Sequence, residues 1–356
     1  MKKIAESSMI TASLRNWYRK QGRDLPWRET GDPYKIWISE IILQQTRVAQ
    51  GKDYYFRFIE RFPNVKSLAA AEEDEVLKLW QGLGYYTRAR NLHAAAKQVM
   101  ETFSGIFPSA YSDIISLRGV GEYTAAAISS IAFNEPHAVV DGNVFRVMAR
   151  LFGIELSIHA SEGKKVIKEI AQSLLDPGNP GKHNQAVMDF GALICTPAQP
   201  RCMECVLLEY CTAFAENRVG ELPVNERKIS VRNRYFHYFH IRYNNCTFLQ
   251  KRNGSDIWKN LFEFPLIETP EPSDFAELEK TDAFRQFFSG IPSLSVDHRL
   301  TIKHQLTHQT IHTRFYRVII PDRTPYIPPK GIFEIEDERL SDYPVARLTH
   351  KYLEII

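Results

Sequence analysis

The chain has 356 residues, enough for about two domains, and its 44% hydrophobic and 24% charged residues are ordinary for a globular protein. A net charge of +3 is too small either to demand or to exclude nucleic acid as a ligand. The sequence has no apolar run of membrane-spanning length, and its first 14 residues lack the apolar core and cleavage site of a secretory signal. We therefore expect a cytoplasmic protein whose thiols are reduced.

The first 216 residues have the pattern of helices joined by short turns. Residues 35–48 are apolar on nearly every side, which predicts a central, buried helix. Other helices are predicted, in chain order, over residues 69–81, 85–103, 110–117, 122–133, 142–152 and 184–194. These elements predict a mainly α-helical domain over residues 1–216.

The composition changes after this domain. Residues 217–234 are polar and basic without helical periodicity, so we interpret them as a linker. Aromatic and β-branched residues then predict strands over residues 235–243, 246–252 and 314–320, with a helix over 274–289. The second domain, residues 235–356, is therefore predicted to be α/β.

Four cysteines follow the last predicted helix at the spacing C-x6-C-x2-C-x5-C: Cys195, Cys202, Cys205 and Cys211. A disulfide cluster is disfavoured because nothing in the sequence marks secretion. A four-thiolate zinc site usually pairs two C-x-x-C hairpins, and only one is present, so a [4Fe–4S] cluster is favoured and zinc stays open. The fifth cysteine, Cys246, is expected to be a small buried apolar residue.

The pentapeptide LRGVG, residues 117–121, joins two predicted helices through a tight turn. Its glycines allow the backbone to approach a ligand closely, and amide groups at the start of the next helix would face an anion such as a DNA phosphate. An ordinary corner between two helices is the alternative that the pentapeptide alone leaves open.

Together, the turn and the cysteine loop resemble the helix-hairpin-helix DNA glycosylase superfamily with a C-terminal [4Fe–4S] loop. Within it, the chain resembles the adenine DNA glycosylase (MutY) family. The motifs that carry this resemblance span almost the whole chain: LPWR (25–28), ISEIILQQT (38–46), GLGYYTRARNL (82–92), GVGEYTAAAI (119–128) and VDGNVFRV (140–147). One departure is Arg118, where the family usually has proline, but phosphate binding by backbone amides does not need that proline.

The resemblance implies a base-excision-repair enzyme that hydrolyses the N-glycosidic bond of adenine in double-stranded DNA. The adenine would be mispaired with 8-oxoguanine or, more weakly, with guanine. We expect a monofunctional, monomeric, nucleoid-associated enzyme with one [4Fe–4S] cluster. Cys195, Cys202, Cys205 and Cys211 would hold that cluster, and the backbone of Gly119, Val120 and Gly121 would hold a phosphate.

Two carboxylates are the candidate catalytic groups. Glu40 lies among apolar residues, where its pKa would be raised and it could act as a general acid, although the pattern alone leaves a surface glutamate equally open. The resemblance assigns Glu40 as the acid. Asp141 precedes a helix, where aspartate is most often an N-cap, and the resemblance makes it also the carboxylate facing the sugar, with Asn143 and Tyr123 close by.

The resemblance also implies which residues contact the DNA or the adenine base. Arg23, Leu25, Trp27 and Arg28 would line the adenine pocket, and Gln45, Leu83 and Tyr85 would wedge into the duplex. Packing at a helix end is the alternative for Leu83. Gln185 stands where some relatives carry glutamate, so it keeps hydrogen-bonding capacity for an adenine edge without the charge.

In the second domain, NLFEFPLIE (260–268) resembles the strand that precedes a Nudix box, but the acidic box itself is absent. The domain therefore resembles the family's MutT-like module, which recognises the damaged base without hydrolysing nucleotides. Leu306-Thr307-His308, following His304, corresponds to the family's Phe-Ser-His loop. Thr307 and His308 would contact the altered guanine, and a plain polar turn between strands is the open alternative.

Two other functions are alternatives to this one. An endonuclease III-like glycosylase with lyase activity is disfavoured because Tyr123 stands in place of that family's nucleophilic lysine and because of the extra domain. A non-catalytic iron–sulfur DNA-binding or redox-sensing protein is disfavoured because both Glu40 and Asp141 are present.

Overall fold

A computed structural model of the chain describes residues 2–225, 230–291, 294–321 and 325–356. Over these residues the chain forms two compact units. The first unit comprises Met1–Ala70 and Asn91–Arg227, and the second comprises Ala71–Arg90 and Lys228–Ile356. Residues 71–90, which the sequence analysis places inside the first domain, therefore group with the C-terminal part of the chain.

The N-terminal part of the chain is helical. Its helices are α1 (Lys2–Gln21), α2 (Pro33–Leu43), α3 (Val48–Arg61), α4 (Val65–Ala70), α5 (Glu73–Leu79), α6 (Thr87–Thr102), α7 (Tyr111–Ser116), α8 (Glu122–Phe133), α9 (Gly142–Phe152), α10 (Ser161–Leu174), α11 (Pro180–Leu193) and α12 (Thr212–Ala215). Short 3-10 turns occupy Pro26–Arg28, Cys202–Glu204 and Leu208–Tyr210.

Helix α2 is buried on nearly every side, as the sequence predicts. The Asp32 side chain caps its start by accepting from the Tyr34 amide, and Pro33 occupies the first turn. The helix ends at Leu43, so the predicted extension to residue 48 is wrong. Gln45 takes a left-handed backbone conformation with φ 56°, which breaks the helix in a stretch whose residue types favour helix.

An extensive apolar cluster lies within the described part of the first unit. Trp17 of α1 packs edge-on against Phe190 of α11, with ring centroids 5.1 Å apart. Buried side chains of α8, α9 and α10 complete this cluster, among them Ala127, Met148 and Ile167. The cluster therefore fixes the helices that carry the predicted site residues Tyr123, Asp141 and Gln185.

The second unit contains a mixed sheet between helices. Its described strands are β1 (Arg232–Tyr243), β2 (Cys246–Lys251), β3 (Phe262–Glu263), β4 (Leu266–Thr269), β5 (Ser295–Gln305), β6 (Gln309–Ile319) and β7 (Ile332–Glu336). The order is β3-β2-β1-β6-β5, with β4 paired to β1 and β7 to β2. Strand β1 runs parallel to β6, and the other pairs are antiparallel. The helices of this part are α13 (Phe275–Leu278), α14 (Asp282–Phe288) and α15 (Arg347–Leu353).

Alternate side chains of β1 face opposite layers, as strand geometry requires. Phe236 and Tyr238 join the cluster that contains Tyr352 of α15. Phe239 and its neighbours on the other face join the cluster that contains Phe288 of α14. The predicted α/β class is confirmed, but the single helix predicted over 274–289 is two helices.

The chain between the two sequence domains is more structured than a linker pattern predicts. The Leu222 carbonyl accepts from Nε of Arg150 at 2.8 Å, and Leu222 is buried. Residues 226–229 of the predicted linker lie outside the described residues, and β1 begins at Arg232. Cys246, predicted to be buried, is only partly buried at the start of β2. Among the described helices, none combines the length and apolar character needed to cross a membrane.

Candidate active site

Glu40 and Tyr123 meet in the interior of the first unit. Glu40 lies on α2 with 8% of its surface exposed, and the Tyr123 hydroxyl donates to its Oε2 at 2.8 Å. Burial raises the pKa of Glu40, while the Tyr123 hydrogen bond and the charge of Arg28 act against the rise and the charge of Asp141 adds to it. Met188 Sδ lies 3.6 Å from the same hydroxyl. The site therefore holds a carboxyl group that keeps its proton to higher pH than an exposed glutamate.

Asp141 is both an N-cap and a member of this site. Its Oδ1 accepts from the Val144 amide at 2.7 Å, which starts α9, and its Oδ2 accepts from Asn143 Nδ2 at 2.8 Å. Asn143 is held in turn by Arg146, whose Nη2 donates to its Oδ1 at 2.9 Å. Gly191 makes this possible, because a Cβ there would lie 2.7 Å from the Asn143 Cβ. The predicted neighbours Asp141 and Asn143 are therefore brought together.

Arg23 and Arg28 converge on Asp189, a residue that the sequence analysis did not single out. The Asp189 carboxylate, whose side chain is 0% exposed, accepts from Arg28 Nη1 and Nη2 at 2.6 and 2.8 Å. It also accepts from the amide and Nε of Arg23 at 2.9 and 2.7 Å. The Arg28 guanidinium lies 5.7 Å from the Tyr18 ring centre, and the Tyr18 hydroxyl donates to Gln185 Oε1 at 3.0 Å.

The other predicted base and duplex contacts divide into buried and exposed side chains. Leu25, Trp27 and Leu83 are 7%, 5% and 7% exposed, so they are interior packing residues in this structure. Gln45 and Tyr85 are exposed, and both have left-handed backbones, with φ 56° and 47°. Such conformations are uncommon outside glycine and aim a side chain away from the regular path of the chain.

The turn between α7 and α8 has the conformation that its glycines predict. Gly119 has φ +77°, and a Cβ there would lie 2.5 Å from the Asn91 Cβ, so this position requires glycine. Val120 is buried and anchors the turn, while Gly121 is exposed and precedes α8. The backbone at the start of α8 is therefore presented at the surface.

Two arginines on successive turns of α9 hold the cysteine loop. Arg150 donates to the carbonyls of Thr196 and Pro197 at 2.7 and 2.9 Å. Arg146 donates through Nε to the Cys195 carbonyl at 2.7 Å. Both arginines are buried, so their charges are matched by carbonyl groups of the loop.

The four thiols of this loop lie close enough to influence one another's pKa values. Burial, together with the charges of Cys195, Cys211 and Cys202, raises the pKa of Cys205 to about 11. All five cysteines of the chain lie within the described residues and are free thiols. Across those residues, no three histidine, cysteine, aspartate or glutamate side chains converge tightly enough for a single metal ion. A [4Fe–4S] cluster is wider than one ion and takes four thiolates, so the residues present fit it.

In the second unit, the turn between β5 and β6 presents Thr307 and His308. Both side chains are exposed, while Leu306 packs against the apolar cluster behind them. The hydroxyls of Thr307 and Tyr85 share a hydrogen bond of 3.2 Å. The His308 carbonyl accepts from the Arg232 amide at 3.0 Å, which ties the turn to the first residue of β1.

Residues 73–90 are anchored to the C-terminal part of the chain by a series of polar contacts. Asp74 pairs with Lys251 at 2.7 Å, and Tyr86 donates to the Val345 carbonyl at 3.1 Å. Further pairs are Glu73 with Asn260, Lys78 with the Tyr343 carbonyl, Gln81 with the Val345 amide, and Arg90 with the Lys259 carbonyl. These contacts explain why the segment belongs to the second unit.

Known proteins share both parts of this architecture. The HhH-GPD superfamily of base excision DNA repair proteins matches residues 38–177, and the NUDIX domain matches residues 237–355. The adenine DNA glycosylase of Buchnera aphidicola subsp. Acyrthosiphon pisum is 36% identical over 313 residues, covering 88% of this chain and 86% of that protein. The protein of the same name from subsp. Baizongia pistaciae is 41% identical over 256 residues, covering 71% and 72%. The chain belongs to the adenine DNA glycosylase (MutY) family.

Solved structures share the fold of the first part of the chain. A thermostable thymine-DNA glycosylase aligns with a TM-score of 0.57 at 30% identity, over 61% of this chain and 100% of that one. A non-covalent endonuclease III–DNA complex aligns with a TM-score of 0.50 at 20% identity, over 58% and 94%, and shows the fold alone. The predicted helix-hairpin-helix glycosylase fold with a Nudix-like domain is confirmed. As an adenine DNA glycosylase, the enzyme acts on DNA in base excision repair.

The residues that the sequence analysis missed in this adenine DNA glycosylase are Asp189, Arg146 and Arg150. The signal available for them was a charged residue within a predicted helix, since a charge that the fold buries needs a partner. Arg146 and Arg150 also stand four residues apart, which places them on one face of α9.

Proposed function

We propose that this adenine DNA glycosylase is monofunctional and removes adenine opposite 8-oxoguanine, and more slowly opposite guanine. The observation that carries the proposal is the 2.8 Å hydrogen bond from Tyr123 to a buried Glu40, with Asp141 near enough to act on that carboxyl group. An acid and a second carboxylate are the two groups that glycosidic bond cleavage requires.

In the proposed reaction, Glu40 protonates a ring nitrogen of the adenine after the base has been turned out of the helix. The proton makes adenine a better leaving group as the bond to the sugar lengthens. Asp141, held by Val144 and Asn143, stabilises the positive charge that develops on the sugar. Water then adds to the sugar, and Glu40, now ionised, accepts its proton.

The absence of lyase chemistry is proposed from the identity of residue 123. A lyase needs an amine that forms a Schiff base with the sugar carbon, and the Tyr123 hydroxyl cannot form an imine. Its hydrogen bond to Glu40 gives this tyrosine a different task, which is to hold the acid in place.

DNA binding is proposed to use the turn between α7 and α8 together with two exposed side chains. The backbone of Gly119, Val120 and Gly121 lies at the start of α8, where amide groups and the helix dipole favour a phosphate. Gln45 and Tyr85 are exposed on left-handed turns and would enter the duplex as the base leaves it.

The two units are proposed to have different functions. The first unit would be the catalytic domain, and the second would read the base opposite adenine through Thr307 and His308. The hydrogen bond between Thr307 and Tyr85 supports this reading, because it joins the turn to a residue proposed to enter the duplex.

Cys195, Cys202, Cys205 and Cys211 would hold one [4Fe–4S] cluster. When bound, it would supply a rigid anchor for the loop rather than catalysis of bond cleavage. Arg146 and Arg150 already bind the carbonyls of this loop and would orient it for the cluster.

The proposal is tested with duplexes that contain one adenine opposite either 8-oxoguanine or guanine. We expect excision of adenine from both, faster from the 8-oxoguanine duplex, with strand cleavage only after alkali. Guanine opposite cytosine and adenine opposite thymine serve as control pairs. Strand breaks before alkali, with borohydride trapping at the rate of base release, would instead identify a lyase.

A further inference from the structure

Asp189 balances the charges of two arginines, Arg23 and Arg28. Its carboxylate is fully buried on α11 and accepts bidentate hydrogen bonds from Arg28 at 2.6 and 2.8 Å. It also accepts from Nε of Arg23 at 2.7 Å. Hydrogen bonds of this type, between ionised groups and with two contacts per guanidinium, fix both partners in one geometry.

Arg28 connects this carboxylate with the groups proposed to act on adenine. Its side chain is 11% exposed, and its guanidinium lies over the ring of Tyr18, which donates to Gln185. The charge of Arg28 also acts on Glu40. A guanidinium in this position would favour the ionised form of Glu40, the form that cannot protonate adenine.

We propose that Asp189 is a positioning residue for adenine excision: it holds Arg28 in one geometry and offsets the charge that this guanidinium exerts on Glu40. This inference rests on the proposed role of Glu40 as the general acid. Asp189 acts through Arg28, so its removal should change the pH at which the acid works as well as the rate.

The direction of the change follows from the charges around Glu40. The groups that act on this carboxyl are the Tyr123 hydroxyl, the Arg28 guanidinium and the Asp141 carboxylate, together with its own burial. Without the Asp189 charge, Arg28 is left as an uncompensated buried cation and lowers the pKa of Glu40. Without Arg28, the pKa of Glu40 rises.

The test is the single-turnover rate of adenine excision as a function of pH, measured with enzyme in excess over an adenine–8-oxoguanine duplex. Wild-type activity should fall as the pH rises and Glu40 loses its proton. In Asp189→Asn this fall should move to lower pH, and in Arg28→Gln it should move to higher pH. The double variant should return close to the wild-type curve, because it removes both charges.

A matched control is Asp176→Asn, which removes an aspartate that pairs with Arg15 outside the site and should leave the curve in place. If Asp189 served only packing, its variants would lower the rate at every pH without moving the curve, which overturns the proposal. Where Asp189→Asn fails to fold, as judged by circular dichroism, an unmoved Arg28→Gln curve overturns it equally. Residual excision by Glu40→Gln at the wild-type rate would instead show that the proposed acid is wrong.

Discussion

The proposed chemistry depends on the protonation of one side chain. Glu40 is buried, which raises its pKa, and the opposing influences of Tyr123 and Arg28 do not cancel that rise. A carboxyl group in such surroundings can be protonated closer to neutral pH, as general acid catalysis requires. Asp141 is held differently, because the amide groups of Val144 and Asn143 donate to its two oxygens and fix it at the start of α9.

The two carboxylates should therefore respond alike to neutralisation. Glu40→Gln keeps the size of the side chain but has no proton to deliver, and Asp141→Asn has no charge with which to stabilise the sugar cation. We expect single-turnover excision to fall at least ~10²-fold in either variant. Gel-shift affinity for a mismatched duplex should be retained, and Glu162→Gln, an exposed position in the first turn of α10, should excise normally. Near wild-type excision by either active-site variant would show that its assigned role is wrong.

Among single residues, local sequence motifs predict some members of the candidate site but not the ion pairs between distant parts of the chain. Glu40, Tyr123 and Asp141 each stand in a motif with a recognisable local structure, and the structure brings them together. The pairing of Arg28 with Asp189 joins residues 161 positions apart. No local pattern reports which buried arginine finds which buried aspartate, because that depends on how α11 packs in the folded unit.

Among the elements, turns and loops differ most from the sequence prediction. Helix α2 ends at Leu43 and places Gln45 on a left-handed turn, although residues 44–47 favour helix by composition. Helices α1, α3 and α10 were not singled out, although the apolar residues of α3 and α10 recur at helical spacing and form one face. The cysteine loop was predicted from spacing, while its attachment to Arg146 and Arg150 required the structure.

The cysteine loop carries a prediction of its own. Protein purified anaerobically should be yellow-brown, with absorbance near ~400 nm and roughly four irons per chain. Cys202→Ser should lose most of the iron and bind DNA weakly, since the loop loses its anchor. Cys246→Ser, in β2 and outside the loop, should retain both. Stoichiometric zinc without iron, in protein from iron-replete cells, would overturn the cluster assignment.

For the whole molecule, the sequence predicts the fold class of each domain. It does not predict that residues 71–90 belong to the second unit. Contacts such as Lys251 with Asp74, which lie 177 positions apart, bind this segment to the C-terminal part of the chain. It carries Tyr85, so the residue proposed to enter the duplex and the turn proposed to read the opposite base belong to one unit. Removal of the C-terminal part would therefore affect more than base recognition.

Because of this grouping, a substitution in the turn between β5 and β6 and a truncation of the C-terminal part should have different effects. Thr307→Ala with His308→Ala would remove the proposed polar contacts to the 8-oxoguanine edge and the hydrogen bond to Tyr85, but it leaves the other anchors of residues 73–90 in place. A matched polar contact is worth about 1–3 kcal/mol, which is roughly 5- to 150-fold in discrimination. We expect the double variant to lose preference for 8-oxoguanine by that factor, while its single-turnover rate on the guanine mispair changes little.

Truncation after residue 227 should lose the same preference and also slow excision from the guanine mispair, because Tyr85 no longer has its supports. Both effects are read from single-turnover rates on the two mispairs, after circular dichroism has shown that the shortened chain is folded. His298→Ala with Thr301→Ala, an exposed pair on β5 with a hydrogen bond of 2.9 Å, is the matched control for the full-length double variant. If the truncated enzyme kept the full preference for 8-oxoguanine, recognition would have to lie in the first unit, with Gln45 as the candidate.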